Sequence, residues 1–228
     1  MQTLTAVAHR GAPYRFRENT LGSLRAALAL GADAVEFDVR LTRDGVPVLL
    51  HDATLKRLWE LDRPLRSLSA DEVRGLTAGG VPTLAEALAA TEGTRVMIDL
   101  PGTRDVRQAR RVVDAVREAG AADRAYYCAG AEEMLAVRAA DPSAEIALTR
   151  TSVAPPRPVL LDTVKPRWLN YRFSLVDRAL AERVHRGGRL LSVWTPDTRR
   201  SMRRLIELGV DSITTNRIDV LTGLRDAS

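Results

Sequence analysis

The sequence predicts an α/β fold, a TIM (β/α)8 barrel with a small hairpin and insertion after the second strand. Three observations carry that expectation. Short apolar runs alternate with helical patterns along almost all of the 228 residues, the way a parallel sheet is written in sequence. With one hairpin arm set aside, the strand candidates begin near Val7, Val35, Val96, Tyr126, Ile146, Leu169, Ser192 and Ile213, as many as a closed barrel needs. Polar and titratable residues gather where those runs end: His9 and Arg10, Glu36 and Asp38, Asp99, Arg150 and Trp194. Barrel enzymes carry their chemistry at the C-terminal ends of strands. A doubly wound open sheet is the competing architecture, but no glycine-rich dinucleotide fingerprint follows the first run.

Taken in order, residues 4–8 form a strand that ends in His9-Arg10-Gly11. After a loop, Asn19 or Thr20 can cap a helix that carries Leu21, Leu24, Ala27 and Leu28 and stops at Gly31. The second strand reads Ala34-Val35-Glu36-Phe37-Asp38-Val39. Residues i and i+2 of a strand share a face. Glu36 and Asp38 therefore project together, while Val35, Phe37 and Val39 face apolar packing. Asp44-Gly45 is a turn dipeptide, and the link from Asp38 to Pro47 is too short for a parallel crossover. Residues 47–51 therefore return antiparallel and bring His51 near Asp38. Residues 53–81 read as a polar insertion, a cap beside the barrel mouth, with a short helix at 70–76 capped by Ser69. Beyond it the pattern predicts strands at 95–100, 124–128, 145–149, 168–171, 190–194 and 212–215. Helices are predicted at 82–90, 105–119, 131–140, 159–164, 175–186, 197–208 and 218–224. No repeat or linker interrupts the chain, so residues 1–228 read as one domain.

Composition narrows the function. Hydrophobic residues make up 45% and charged residues 28%, enough for a substantial core. No apolar run is long enough to span a membrane. The first five residues lack the basic and apolar regions of a secretory leader, so a cytoplasmic location is expected. The single Cys128 excludes an internal disulfide and a cysteine metal cluster. The net charge of +5 is almost all arginine, spread along the chain among acids, and aromatics are only 4%. That pattern argues against nucleic acid as a partner and for a small anionic molecule.

Two carboxylates side by side repel each other and shift their protonation. A hard divalent cation, Mg²⁺ or Ca²⁺, resolves that conflict through oxygen ligands. The plainer alternative is an acid-bearing edge strand with a surface histidine.

The chain also resembles a known family. His9-Arg10-Gly11, Glu18-Asn19-Thr20, Glu36-Phe37-Asp38-Val39, Thr42-Arg43-Asp44-Gly45 and His51-Asp52 are similar to the signature of the glycerophosphodiester phosphodiesterases. Val81-Pro82-Thr83-Leu84, Trp194-Thr195, Gly209-Val210-Asp211 and Thr215-Asn216-Arg217 are similar to the family's later motifs. The resemblance implies a TIM barrel, a divalent cation, and hydrolysis of a small-molecule glycerol phosphodiester to glycerol 3-phosphate and an alcohol. It implies Glu36, Asp38 and Asp99 as metal ligands, His9 and His51 as the acid–base pair, and Arg10 on the phosphate. In the family picture one histidine activates the substrate's own glycerol hydroxyl, giving a cyclic phosphate that water opens; the other protonates the leaving alcohol. Glu18 and Asn19 read as supporting residues, Asp52 as support for His51, and Trp194 as either barrel filling or a wall for substrate. His185 reads as structural and Cys128 as a small buried hydrophobe. One departure stands out. Where the family has Glu, one residue and Lys, this chain has Asp99-Leu100-Pro101. Pro101 brings no charge, and Arg104 or Arg150 is expected to reach the phosphate instead. A non-catalytic or altered-specificity phosphodiester-binding protein is the alternative that departure leaves open.

Overall fold

A computed structural model of the chain describes residues 4–225. The first three residues, on which the leader expectation partly rests, lie outside the described residues. Eight parallel strands form the ring: β1 (Thr5–His9), β2 (Ala34–Leu41), β4 (Arg95–Asp99), β5 (Ala125–Ala129), β6 (Ile146–Arg150), β7 (Trp168–Arg172), β8 (Leu190–Trp194) and β9 (Ser212–Thr215). The ring closes because β1 pairs with both β2 and β9. The remaining strand, β3 (Pro47–Leu49), lies outside the ring and runs antiparallel to β2, with Val39 opposite Leu49.

Helices α1 (Leu21–Ala29), α4 (Leu84–Ala90), α5 (Val106–Glu118), α6 (Ala131–Ala140), α7 (Pro158–Val164), α8 (Arg178–Arg186), α9 (Arg199–Glu207) and α10 (Ile218–Arg225) alternate with the barrel strands. Two more, α2 (Lys56–Trp59) and α3 (Ala70–Leu76), lie in the insertion. Helix α8 starts later than its pattern suggests. Residues 173–175 form a tight 3-10 turn, and the Asp177 carboxylate caps the helix by accepting from the Leu180 N–H at 2.8 Å.

Strand alternation sorts the side chains. Ala8, Val35, Phe37, Val96, Ile98 and Val193 face outward and pack with the helices. Val7, Ala34, Met97, Tyr126, Cys128, Ala147 and Trp168 form a separate cluster that fills the barrel interior. Two residues further along each strand the interior turns polar. His9 follows Val7, Glu36 follows Ala34, Asp99 follows Met97, Thr149 follows Ala147 and Asn170 follows Trp168. An apolar plug thus supports a polar layer at the C-terminal mouth.

The insertion has a core of its own, in which Val48 and Leu50 of the hairpin arm meet Leu55, Leu65, Leu68, Val73 and Val81. Ser69 and Glu72 make a reciprocal capping box on α3, a feature worth about 1 kcal/mol. The one-turn helix α2 and the 3-10 turn at Leu65–Ser67 are too short to leave a periodic signal. Among the described residues no helix is long and apolar enough to cross a membrane.

Candidate active site

Register brings the acids together. Asp38 of β2 pairs with Asp99 of β4, and Glu36 with His9 of β1. One carboxylate oxygen from each of Glu36, Asp38 and Asp99 lies within 4.8 Å of the others, and Glu36 and Asp38 are only 3% and 1% exposed. Burial, then the charges of Asp38 and Asp99, push the Glu36 carboxyl well above its ordinary range. Burial and Asp38 push Asp99 up to about 7. Arg10 offsets part of this. Its backbone N–H donates to Glu36 Oε2 at 2.9 Å, and its Nε lies 3.0 Å from Asp38 Oδ2.

The loop after β1 is shaped for that contact. Arg10 has φ +57°, and Gly11 has φ +87°, with the Ser23 backbone where a Cβ would stand. Only glycine fits that turn. Thr20 caps α1 and leaves Asn19 free. The Asn19 amide donates to Asp38 Oδ2 at 2.8 Å and accepts from the Asp38 N–H at 3.2 Å. Asp38 Oδ1 is buried without a partner. Only one guanidinium, that of Arg10, contacts the three clustered carboxylates, one of which has an orphaned oxygen. Such a donor set fits a hard divalent cation.

The histidines sit on either side of this cluster and line the same cavity, of about 210 Å³. His9 Nδ1 is 2.7 Å from Asn216 Oδ1, and Asn216 Nδ2 donates to Asp197 Oδ2 at 2.8 Å. A carboxylate only accepts, so the asparagine presents its oxygen to His9 and Nδ1 carries the hydrogen. In the neutral ring Nε2 is then the free base. Burial, then the charge of Arg10, lower the His9 pKa and favour that neutral form. His51 is held differently: its Nδ1 lies 2.6 Å from Asp52 Oδ1. Arg57 of α2 donates to Asp52 Oδ2 at 2.6 Å and to both oxygens of Glu18, at 2.7 and 3.1 Å. The hydrogen bond from Arg57, with that from His51 added, holds the Asp52 carboxyl down at about 2. Glu18 also accepts from Arg10 Nη1 at 2.8 Å. One buttress thus links the insertion, His51 and Arg10.

Trp194 lines the cavity, and its buried indole N–H has no partner among the described residues. Met97 and Cys128 form part of the floor, and burial pushes the Cys128 thiol well above its ordinary value. Thr149, Asn170 and Thr214 line the walls. Sequence reasoning missed these three, although a two-residue step along each strand would have found them.

Two expectations need correction. Arg150 does not line the cavity; one residue after the inward-facing Thr149, it turns outward, and its Nη2 donates to the Ala154 carbonyl at 2.8 Å. Arg104 is exposed and pairs with Glu132 and Glu133 at 3.1 and 3.3 Å. The cation near the third carboxylate is instead Arg40, within electrostatic reach of Asp38, Asp52 and Asp99. His185 pairs with Asp211 at 2.8 Å, away from the mouth.

With this geometry in hand, comparison with known proteins is informative. The model of the glycerophosphoryl diester phosphodiesterase family matches residues 9–220. A glycerophosphodiester phosphodiesterase of Caldanaerobacter subterraneus subsp. tengcongensis is 26% identical over 98% of this chain and 98% of its own length. A probable glycerophosphodiester phosphodiesterase 2 of Mycobacterium tuberculosis is 29% identical over 95% of this chain and 88% of that protein. Among solved structures, an Oleispira antarctica phosphodiesterase in complex with the product sn-glycerol-3-phosphate superposes with a TM-score of 0.89 at 20% identity, covering 99% of this chain and 98% of that one.

Proposed function

Because the chain belongs to the glycerophosphoryl diester phosphodiesterase family, we propose that it is a phosphoric diester hydrolase that cleaves glycerophosphodiesters to glycerol 3-phosphate and an alcohol. We assign proton transfer to His9 and His51. Glu36, Asp38 and Asp99 would hold a divalent cation, Mg²⁺ or Ca²⁺. The observation that carries this reading is that both imidazoles, Arg10, Glu36 and Asp99 line one cavity at the C-terminal end of the barrel, with Asp38 clustered behind them.

The cation would neutralise a phosphoryl oxygen and so ease attack on an anionic phosphorus. The chain's own residues do the rest. Arg10 keeps Nη2 uncommitted among the described residues, a donor for a phosphoryl oxygen. His9, fixed by Asn216 with Nε2 as the base, takes the proton of the substrate glycerol's own attacking hydroxyl; the cyclic phosphate that forms as the alcohol leaves is then opened by water to glycerol 3-phosphate. His51, with its Nδ1–H on Asp52, carries a proton on Nε2 to the leaving alcohol. Trp194 offers its indole N–H and an apolar face to the glycerol end.

A second reading, a phosphodiester-binding protein without turnover, rests on one observation: Pro101 stands where the family carries a lysine. A single assay separates the two. Glycerol 3-phosphate release is measured from a panel of glycerophosphodiesters with Mg²⁺, Ca²⁺ or a chelator. The enzyme reading expects metal-dependent turnover that falls by about 10²–10⁴ in His9→Ala and in His51→Ala. Tight binding of a diester without turnover under any metal supports the binding protein instead.

A further inference from the structure

Beside the mouth cavity lies a larger one, of about 510 Å³, which the proposed reaction leaves unused. The two have no lining residue in common but draw on the same two chain segments. His51 and Asp99 line the mouth; Ala53, Thr54, Pro101 and Gly102, a few residues further along the same two segments, line the second cavity. Arg40, on the wall of the second cavity, bonds the carbonyl of His51, on the wall of the first, so the two cavities lie one residue contact apart.

Arg40 and Arg66 set the character of this second cavity, because no carboxylate lines it. Arg40 follows Asp38 by two positions on β2, so it continues the inward row just beyond the mouth. Its Nε donates to the His51 carbonyl at 2.7 Å, which pins the guanidinium between the two cavities. Both of its Nη groups are without a hydrogen-bond partner among the described residues. Gly102 brings its backbone close to them: a Cβ there would stand in ordinary contact with Nη1, at 3.8 Å. Arg66, on the insertion side, likewise has no hydrogen bond or ion pair among the described residues. Other arginines around the mouth are more engaged: Arg57 pairs with Glu18 and Asp52, and Arg10 with Glu18 and Asp38, leaving only its Nη2 for the phosphate. Open Nη donors on two guanidiniums, in a cavity whose lining holds no carboxylate, suit an anion, since a guanidinium fork matches a carboxylate or phosphate.

Resting on the phosphodiesterase reading, we propose that this cavity is the alcohol-side subsite and that it accepts an alcohol bearing an acidic group, held by Arg40 and Arg66. The mouth cavity takes the glycerol phosphate end. The leaving alcohol extends past His51 with its carboxylate or second phosphate on the arginines. The same two charges disfavour a cationic alcohol such as choline.

The test compares kcat/KM for glycerophosphocholine, glycerophosphoserine and a glycerophosphodiester whose alcohol carries a second phosphate; the last two separate a carboxylate from a phosphate as the preferred group. Wild-type enzyme should favour at least one acidic diester over the choline diester by about 10-fold or more, mainly through KM, as expected for uniform binding. Added salt should shrink the margin. Arg66→Glu, at an exposed position without partners, should cut the ratio by about 10-fold or more and raise choline-diester turnover. Arg40→Met should lower the ratio in the same direction, and Arg40→Lys should restore part of it. Turnover with no charge preference, or a ratio that Arg66→Glu leaves in place, overturns the subsite alone. No turnover of any diester overturns the phosphodiesterase reading and the subsite with it.

Discussion

Strand β4 carries a charge at each end of the barrel, and the two ends treat charge in opposite ways. At the N-terminal end, Arg95 Nη2 lies 2.7 Å from Glu145 Oε1, Arg167 Nη1 lies 3.1 Å from Glu145 Oε2, and the Trp168 indole donates to Oε1 at 2.7 Å. The Arg95 guanidinium also covers the Tyr126 ring at 4.8 Å. Burial resists ionisation of Glu145, yet hydrogen bonds from Trp168 and Arg95 overcome it and hold the carboxyl below its ordinary value. At the mouth, Asp99 joins two other carboxylates around a single guanidinium and is pushed up to about 7. Opposite charges meet at one end of the barrel. Like charges crowd together at the other, an arrangement that suits a cation. The same fold makes both, so it is the crowding of like charges that marks the site.

The sharpest way to break this comparison is to neutralise the mouth. Glu36→Gln/Asp38→Asn should lower turnover by about 10³-fold or more, more than one lost electrostatic donor costs. The metal-free protein should melt no lower than wild type, because the substitutions remove like-charge repulsion. Product release and thermal melts check both arms; a marked loss of stability would show that these acids serve the fold. The bottom should behave in reverse. Glu145→Gln leaves two arginines short of a partner and should cost about 1–3 kcal/mol of stability, with the turnover of folded molecules kept. Denaturant unfolding beside initial rates reads the difference.

Acidity gives a gentler test. Asp99 binds its proton more tightly folded than unfolded, since its folded value near 7 lies above the ordinary 3.8. Its stabilising contribution is therefore present below about pH 4 and lost as the pH rises through about 7. In chelator, wild type should lose melting temperature across that window relative to Asp99→Asn, and a saturating divalent cation should remove the loss. The smallest effect belongs to the buttress. Arg57→Ala frees Glu18 and Asp52, and should slow turnover by about 10-fold while barely moving the melting temperature, as is usual for an exposed pair.

Much of this was legible before any coordinates. The strands follow from short apolar runs that alternate with helical patterns, and the hairpin arm from a link too short to cross over. Those two facts alone bring His9, Glu36, Asp38, Asp99 and His51 to one end. Side-chain facing within one residue was harder: Arg150 ends its strand as expected, but its neighbour Thr149 takes the inward position. Residues that depend on a folded-back segment were invisible. Arg57 rides on a single helical turn with no periodic signature. Arg40 reads as an ordinary surface arginine until the arm returns and offers it the His51 carbonyl.

We propose that a divalent cation completes the crowded carboxylates of the mouth. Calorimetric titration of the stripped protein with Mg²⁺ and with Ca²⁺ tests it most directly, beside the same titration of Glu36→Gln/Asp38→Asn. Wild type should bind at least one of the two ions at a single saturable site, and the variant should give only the heat of dilution. Equal binding by the variant, or no binding of either ion by the wild type, would contradict the claim.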